Sequence, residues 1–454
     1  QRDGYRWLRT LDGYGMGGIL ADDMGLGKTV QVLSYLLAMK QNGQTLPSLI
    51  VCPASLVLNW AEECQKFTPE LSCVVVDGDA AHRAELAESW PAADLVVTSY
   101  DLLRRDEALY EGQEFYACIL DEAQAIKNHT TQKYKAVCKV RSRVRFALTG
   151  TPVENRLGEL WSIFSFLMPG YLPPYKSFCS RFEKPIVQEE DQTAVRRLNQ
   201  LTGPFILRRM KADVLKELPP KTENVYRIEL EEEQRKLYLA AVVDAREKLQ
   251  AAKPEDKMAV FAVLMRLREI CCDPRLIADN WEGGSAKLDA CAELVSSAVE
   301  GGHRILLFSQ FTSMLELLAK RLDAEGISHF TLQGSTPKPV RAELVRRFNG
   351  GEVSVFLISL RAGGTGLNLT AADIVIHYDP WWNVAAQNQA TDRAYRIGQQ
   401  NPVQVYKLIA QDTIEEKIVE LQQAKQSLAD TVTGTADGAI LSMRPDELLQ
   451  LLEG

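Results

Sequence analysis

The chain has 454 residues, 46% of them hydrophobic and 25% charged. This ordinary globular mixture excludes a single small module and a largely disordered chain. A net charge of -8 argues against polybasic, histone-like nucleic-acid binding while leaving room for a locally basic groove.

No apolar run approaches the ~18 residues that span a bilayer. The nine cysteines show no C-x-x-C spacing and read as reduced thiols of an intracellular protein, without a disulfide framework. The five histidines are scattered and none stands in H-E-x-x-H, so zinc hydrolysis has no support. The chain opens at Gln1 with no initiator Met and no basic-then-apolar leader, and so reads as an excised piece of a longer product.

Short runs rich in Val, Ile and Leu alternate with helical patterns, which predicts parallel strands covered by helices. One set of strands falls at 18–21, 49–52, 73–76, 95–98, 118–120 and 145–148. A second falls at 305–309, 329–333, 353–358, 374–378 and 403–408. Between them helical patterns dominate, at 231–252 and at 257–272. In the latter, Met258, Phe261, Val263, Leu264, Leu267 and Ile270 recur at three and four spacing. Leu218-Pro219-Pro220-Lys221 cannot be helical at its prolines and marks a boundary. The expectation is an α/β protein of two lobes, 1–221 and 222–454. The first carries a helical insertion at about 154–200. The second carries one at about 228–280 and a closing helix at 413–429.

Asp22-Asp23-Met24-Gly25-Leu26-Gly27-Lys28-Thr29 runs from the first strand into a helix at 30–39. Such a loop turns backbone N–H groups and a helix N-terminus toward phosphate oxygens. Lys28 would neutralise the β and γ phosphates of a nucleotide, and the Thr29 hydroxyl would hold Mg2+. The strict phosphate-loop pattern has Gly where Asp22 stands. Asp121-Glu122-Ala123-Gln124 follows a strand, so Asp121 can hold the metal while Glu122 orients and deprotonates the attacking water. Leu148-Thr149-Gly150-Thr151-Pro152 ends another strand and suggests a link between nucleotide state and lobe geometry. Far downstream, Arg393 and Arg396 stand three apart, a spacing that on a helix aims both guanidinium groups to one side. Fixed cations of this kind serve a migrating phosphoryl group; the alternative is a solvated helix face.

Together these segments resemble the Swi/Snf-type branch of the superfamily-two helicase-like ATPases. The resemblance extends through Pro204-Phe205-Ile206-Leu207-Arg208-Arg209-Met210-Lys211, Phe308-Ser309-Gln310-Phe311, 361–369 and Asp379-Pro380-Trp381-Trp382-Asn383. Val384 stands where that family usually has Pro, and Tyr395 where it has His; Tyr does not titrate near neutrality. The resemblance implies two RecA-like lobes, parallel sheets flanked by helices, that clamp ATP and step along intact double-stranded DNA. It implies ATP contacts at Gln1, Asp23, Met24, Gly25, Leu26, Gly27, Lys28, Thr29, Gly364 and Gly366. It implies duplex contacts at Pro53, Ala54, Asn59, Thr98, Ser99, Gln310, Gly334, Ser335, Thr365 and Gly366.

Contacts of this kind carry no sequence preference when they go to phosphate. Trp382 either stacks on the strand or, with Trp381, belongs to the core. Arg208, Arg209 and Lys211 either touch phosphates or face neighbouring acids on a solvated surface. The closing helix is either a brace across the lobes or an ordinary terminal helix. The implied activity is a DNA-dependent ATPase that remodels a protein–DNA complex, as a monomeric core without a membrane partner. The implied location is cytoplasmic and nucleoid-associated in a prokaryote, or nuclear otherwise. A strand-separating helicase, an RNA-dependent ATPase and a catalytically silent ATP-binding scaffold are the competing readings.

Overall fold

A computed structural model describes residues 1–23, 25–150, 157–189, 191–214, 219–251, 253, 256–278, 280–363, 367–381, 384–429 and 448–449. The chain forms two compact units, residues 1–216 and 217–454.

The first unit holds seven strands: β1 (Gly18–Leu20), β2 (Ser48–Cys52), β3 (Cys73–Val75), β4 (Leu95–Ser99), β5 (Glu114–Leu120), β6 (Arg141–Leu148) and β7 (Ile206–Leu207). They lie in the order β3-β4-β2-β5-β6-β1-β7, and every pairing is parallel. The second unit holds β8 (Lys221–Ile228), β9 (Ile305–Ser309), β10 (His329–Leu332), β11 (Val355–Ser359), β12 (Ile374–His377) and β13 (Val403–Ala410). Their order is β10-β11-β9-β12-β13-β8, again all parallel. Strands covered by helices on both faces must be apolar throughout rather than alternating. Accordingly β2, β4, β9, β11 and β12 are buried along their whole length.

Each of the eleven strand runs expected from the sequence forms, with ends shifted by a few residues at most. Two strands were not foreseen. β7 is two residues long, too short for any periodicity to show. β8 is exposed along its length except at Ile228; as an edge strand paired on one side to β13 it needs no apolar run. It also corrects the division of the chain. Lys221, expected to close the first lobe, starts β8 and pairs with Val403 in the second sheet.

The insertion of the second unit packs two helices, Glu232–Ala251 and Lys257–Cys272, against each other and against the closing helix Ile414–Ala429. Val260, Val263, Leu264, Leu267 and Ile270 form the buried stripe, together with Tyr238, Leu249, Ile414 and Ile418. Met258, expected in that stripe, is 75% exposed. It lies in the first turn, beside the Asp256 cap that accepts the Ala259 N–H.

The interior of the second unit is not wholly apolar. Lys287 and Glu415 form an ion pair with both side chains fully buried, and Glu415 also accepts the Ala410 N–H at 2.9 Å. His377 is buried as well, stacked on Phe308 with ring centroids 5.6 Å apart and with Nε2 2.9 Å from Thr391 Oγ1. Burial, helped by Lys407 and Lys221 and opposed by Glu223, pulls His377 down to about 3. The folded ring therefore stays neutral while an unfolded one takes a proton near pH 6.5. This linkage costs stability as pH falls from about 6.5 toward 3 and is without effect above that window. In His377→Asn, acid unfolding followed by circular dichroism should lose up to about one proton of pH dependence across that interval. An unchanged slope would contradict a neutral buried ring.

Candidate active site

Functional side chains of the first unit gather at the carboxyl ends of its strands, the usual place for ligands in open parallel sheets. β1 runs into the glycine loop, and the helix Lys28–Gln41 begins directly at Lys28. Gly25 and Gly27 take left-handed backbone angles, φ 82° and 78°, which side chains with a Cβ rarely adopt. At Gly27 a Cβ would also stand 2.4 Å from the Gln1 side-chain nitrogen. The expected ATP contact at Gln1 thus lies against the loop, its Nε2 donating to the Leu26 carbonyl at 3.4 Å.

Lys28 Nζ donates to the carbonyl of Asp22 at 2.6 Å and to that of Asp23 at 3.4 Å. Burial pulls its pKa below the ordinary lysine range, against the opposing pull of the Glu122, Asp121, Asp22 and Asp23 carboxylates. A desolvated cation surrounded by acids is well matched to phosphate oxygens. Thr29 stands in the first turn of the helix.

The residue that replaces Gly in the strict phosphate-loop pattern has a partner that sequence reading missed. Asp22 is fully buried. It accepts from Arg209, through Nε at 2.9 Å and through Nη2, and from Gln31 Nε2 at 3.2 Å. Arg209 Nη2 also donates to Gln31 Oε1 at 2.7 Å. A Cβ on Gly4 would stand 1.7 Å from that Gln31 oxygen and 2.8 Å from Arg209 Nη2, which accounts for a glycine inside the helix Arg2–Gly13. Backbone bonds extend the join: Ala21 N–H to the Leu207 carbonyl, Asp23 N–H to the Arg209 carbonyl, and Lys211 N–H to an Asp23 carboxylate oxygen. Of the basic cluster, Arg209 and Lys211 are therefore built into the loop rather than spread on a solvated surface, while Arg208 is exposed. Gln31, three residues after Lys28 and so on the same helix face, was findable from spacing. Arg209 was not.

Asp121 and Glu122 follow β5. The Asp121 carboxylate accepts the Trp60 indole N–H at 2.8 Å and the Glu122 N–H at 2.9 Å, while its carbonyl accepts the Tyr100 hydroxyl at 2.9 Å. Burial and the neighbouring Glu122 push Asp121 up to about 7, against the Trp60 bond, the Lys28 charge and the Glu122 N–H. Glu122 is one of two non-glycine residues with positive φ, at 49°, among those described. Its carboxylate accepts from Gln124 Nε2 at 2.7 Å, and Gln124 Oε1 accepts the Thr149 hydroxyl at 3.1 Å. The acidic motif after β5 and the Thr-Gly turn after β6 are thus one bonded line. Thr151 and Pro152 lie outside the described residues.

Among the duplex candidates, Ala54 is exposed and Pro53 and Asn59 are half-buried, with Asn59 Nδ2 donating to Glu63 at 3.2 Å. Thr98 does not fit a contact role: it is fully buried and its hydroxyl accepts from Tyr110 at 3.0 Å. Ser99 is nearly as buried, its hydroxyl accepting the Leu102 N–H as the cap of the helix Tyr100–Arg105.

In the second unit, Gly334 and Ser335 are exposed after β10. The Gln310 backbone N–H donates to Asp379 at 3.2 Å. Asp379 also accepts the Ser309 hydroxyl at 2.6 Å and pairs with the fully buried Arg268 at 3.4 Å. Trp381 is half-buried against both hydrophobic clusters beside it. Met24, Gly364, Thr365, Gly366 and Trp382 lie outside the described residues. Arg393 and Arg396 correct another expectation. The helix Val384–Thr391 ends before them, and they lie in a run of turns closed by Gly398 at φ 105°. Gln399 anchors that run through the carbonyls of Ala372 and Ala394. Arg393 is buried and Arg396 half-buried.

A glycine loop with Lys28 and Thr29 at a helix start, beside a strand ending in two carboxylates, defines a phosphate-loop nucleotide hydrolase. Residues 1–276 match the SNF2-related domain and residues 286–398 the helicase conserved C-terminal domain. The chain belongs to the SNF2-related family, whose members are ATPases. It is 41% identical to an uncharacterized ATP-dependent helicase of Mycoplasma pneumoniae, over all of this chain and 44% of that protein. It is 34% identical to the TATA-binding protein-associated factor MOT1 of Saccharomyces cerevisiae, over all of this chain and 28% of that protein. The SWI2/SNF2 ATPase core of Sulfolobus solfataricus in complex with dsDNA is 35% identical, with 99% of this chain and 95% of that one covered and a TM-score of 0.49. The chain thus spans less than half the length of either of these two relatives.

Asp22→Gly restores the strict phosphate-loop pattern yet strands the Arg209 guanidinium. It should lower stability by about 3 kcal/mol, and Asp22→Gly/Arg209→Met should recover most of that loss. Thermal unfolding of the single and double variants checks both; a single variant as stable as the parent refutes the role given to the pair.

Proposed function

We propose that the chain is a DNA-stimulated ATPase that moves along double-stranded DNA without separating its strands and displaces or remodels a DNA-bound protein. The observation that carries the catalytic part is the convergence of Lys28, Asp121 and Glu122, close enough that both carboxylates act on the lysine. Lys28 and the amides of the glycine loop bind the triphosphate. Glu122, held by Gln124, orients the attacking water and takes its proton. Thr29 and Asp121 offer hard oxygen donors that suit Mg2+, which typically binds one or two carboxylates plus substrate phosphates. When bound, that ion would neutralise charge on the phosphate oxygens. Arg393 and Arg396 are the fixed cations that the family resemblance assigns to phosphoryl transfer. The line from Glu122 through Gln124 to Thr149 is suited to relaying hydrolysis to the rest of the chain. Family membership and the exposed residues Ala54, Gly334 and Ser335 support a duplex track.

Turnover should be low alone and rise with duplex DNA, more than with single strands or RNA; equal rates with and without duplex count against the proposal. ATP-dependent strand release in a fluorescent unwinding assay would favour a strand-separating enzyme instead. Glu122→Gln should keep ATP binding and lose turnover, which a silent scaffold would not show. Arg396→Ala should bind ATP normally and hydrolyse it about 10³-fold more slowly; equal loss of binding and turnover would remove Arg396 from the transition state.

A further inference from the structure

Trp60 has no part in the chemistry above, yet it touches the site. It lies in the helix Val57–Phe67, is 1% exposed, and donates its indole N–H to the Asp121 carboxylate at 2.8 Å. Burial alone does not demand this bond, because Trp90 is equally buried and its indole nitrogen has no hydrogen-bond partner. Other indoles of this chain, Trp161 and Trp281, donate to neutral backbone carbonyls. A bond to a carboxylate is the stronger kind and fixes the orientation of the acceptor.

A second strut reaches the same residue. The Tyr100 hydroxyl donates to the Asp121 carbonyl at 2.9 Å. Trp60 directly follows Asn59, and Tyr100 directly follows Ser99. The helices that follow β2 and β4 therefore each send one aromatic side chain to one acidic residue at the end of β5. With the Glu122 N–H on its other oxygen, both oxygens of the Asp121 carboxylate are held.

We propose that Trp60 is a positioning residue that holds the Asp121 carboxylate in register with the segment 53–59, with Tyr100 as its counterpart at the end of β4. A duplex gripped by the segment 53–59 then sets how well Asp121 holds a divalent cation. This rests on the reading of Asp121 as a metal-holding residue and of residues 53–59 as a duplex contact.

The test reads binding rather than turnover. Magnesium is titrated into the full chain with a fluorescent ATP analogue, with and without a blunt duplex. Trp60→Phe keeps the ring packing and removes the donor; Tyr100→Phe does the same for the second strut. In the parent, duplex should lower the magnesium concentration at half-saturation. In Trp60→Phe that concentration should rise about ten-fold, as for loss of one hydrogen bond to a charged group, and duplex should no longer shift it. Analogue binding in EDTA and duplex affinity should stay as in the parent, which separates the effect from misfolding. A Trp60→Phe protein with the parent's half-saturation and the parent's duplex shift overturns the proposal. If Trp60→Phe unfolds, a parent-like duplex shift in Tyr100→Phe overturns it, and a lost shift supports it. A parent with no duplex shift, in which Asp121→Asn is also without effect on magnesium, overturns the underlying reading of the site instead.

Discussion

The buried pair of Asp22 and Arg209 ties the phosphate loop to the far edge of its sheet. One partner ends β1 and the other follows β7, separated by nearly the whole first unit in sequence. A buried charge left alone is expensive, so the loop cannot leave this geometry without losing its counter-ion. Gln31 and Gly4 complete the arrangement, one by bonding to both partners and the other by making room for them. The loop conformation that presents Lys28 is thereby fixed by the tertiary fold and not by its glycines alone.

The second unit uses the same device at two places. Asp379 is held by Arg268 and in turn holds Ser309 and the Gln310 N–H. Glu415 is held by Lys287 and in turn holds the end of β13. In each case a charged residue from the helical insertion or its neighbour reaches into the strand ends of the sheet. The helix 257–272 is thus connected chemically as well as sterically, through Arg268 and Asp379, to the Gln310 segment that the family resemblance assigns to the duplex.

Legibility in the sequence followed the physics of each feature. Strands buried on both faces announced themselves, because a parallel sheet under two helix layers requires continuous apolar runs. β7 and β8 did not: one is two residues long, and the other is an exposed edge whose composition is free. Lys28, Asp121 and Glu122 were readable because their chemistry depends on local spacing next to a strand. Arg209, Trp60 and Tyr100 were not, since each meets its partner only through the fold. Thr98 was misread for the complementary reason: a hydroxyl at a strand end looks available in sequence, and only packing shows it consumed by Tyr110. Arg393 and Arg396 were readable as a pair, but the helix that would have aimed them stops at Thr391.

Glu122 holds a left-handed backbone angle that costs a residue with a Cβ about 1 kcal/mol or more relative to glycine. Drift toward thermal robustness alone would favour glycine or asparagine at that position, with the carboxylate proposed to orient water as the casualty. On the proposed role of Glu122, persistence of glutamate there in a descendant of this chain is a signature of continued selection for turnover, legible from a single codon.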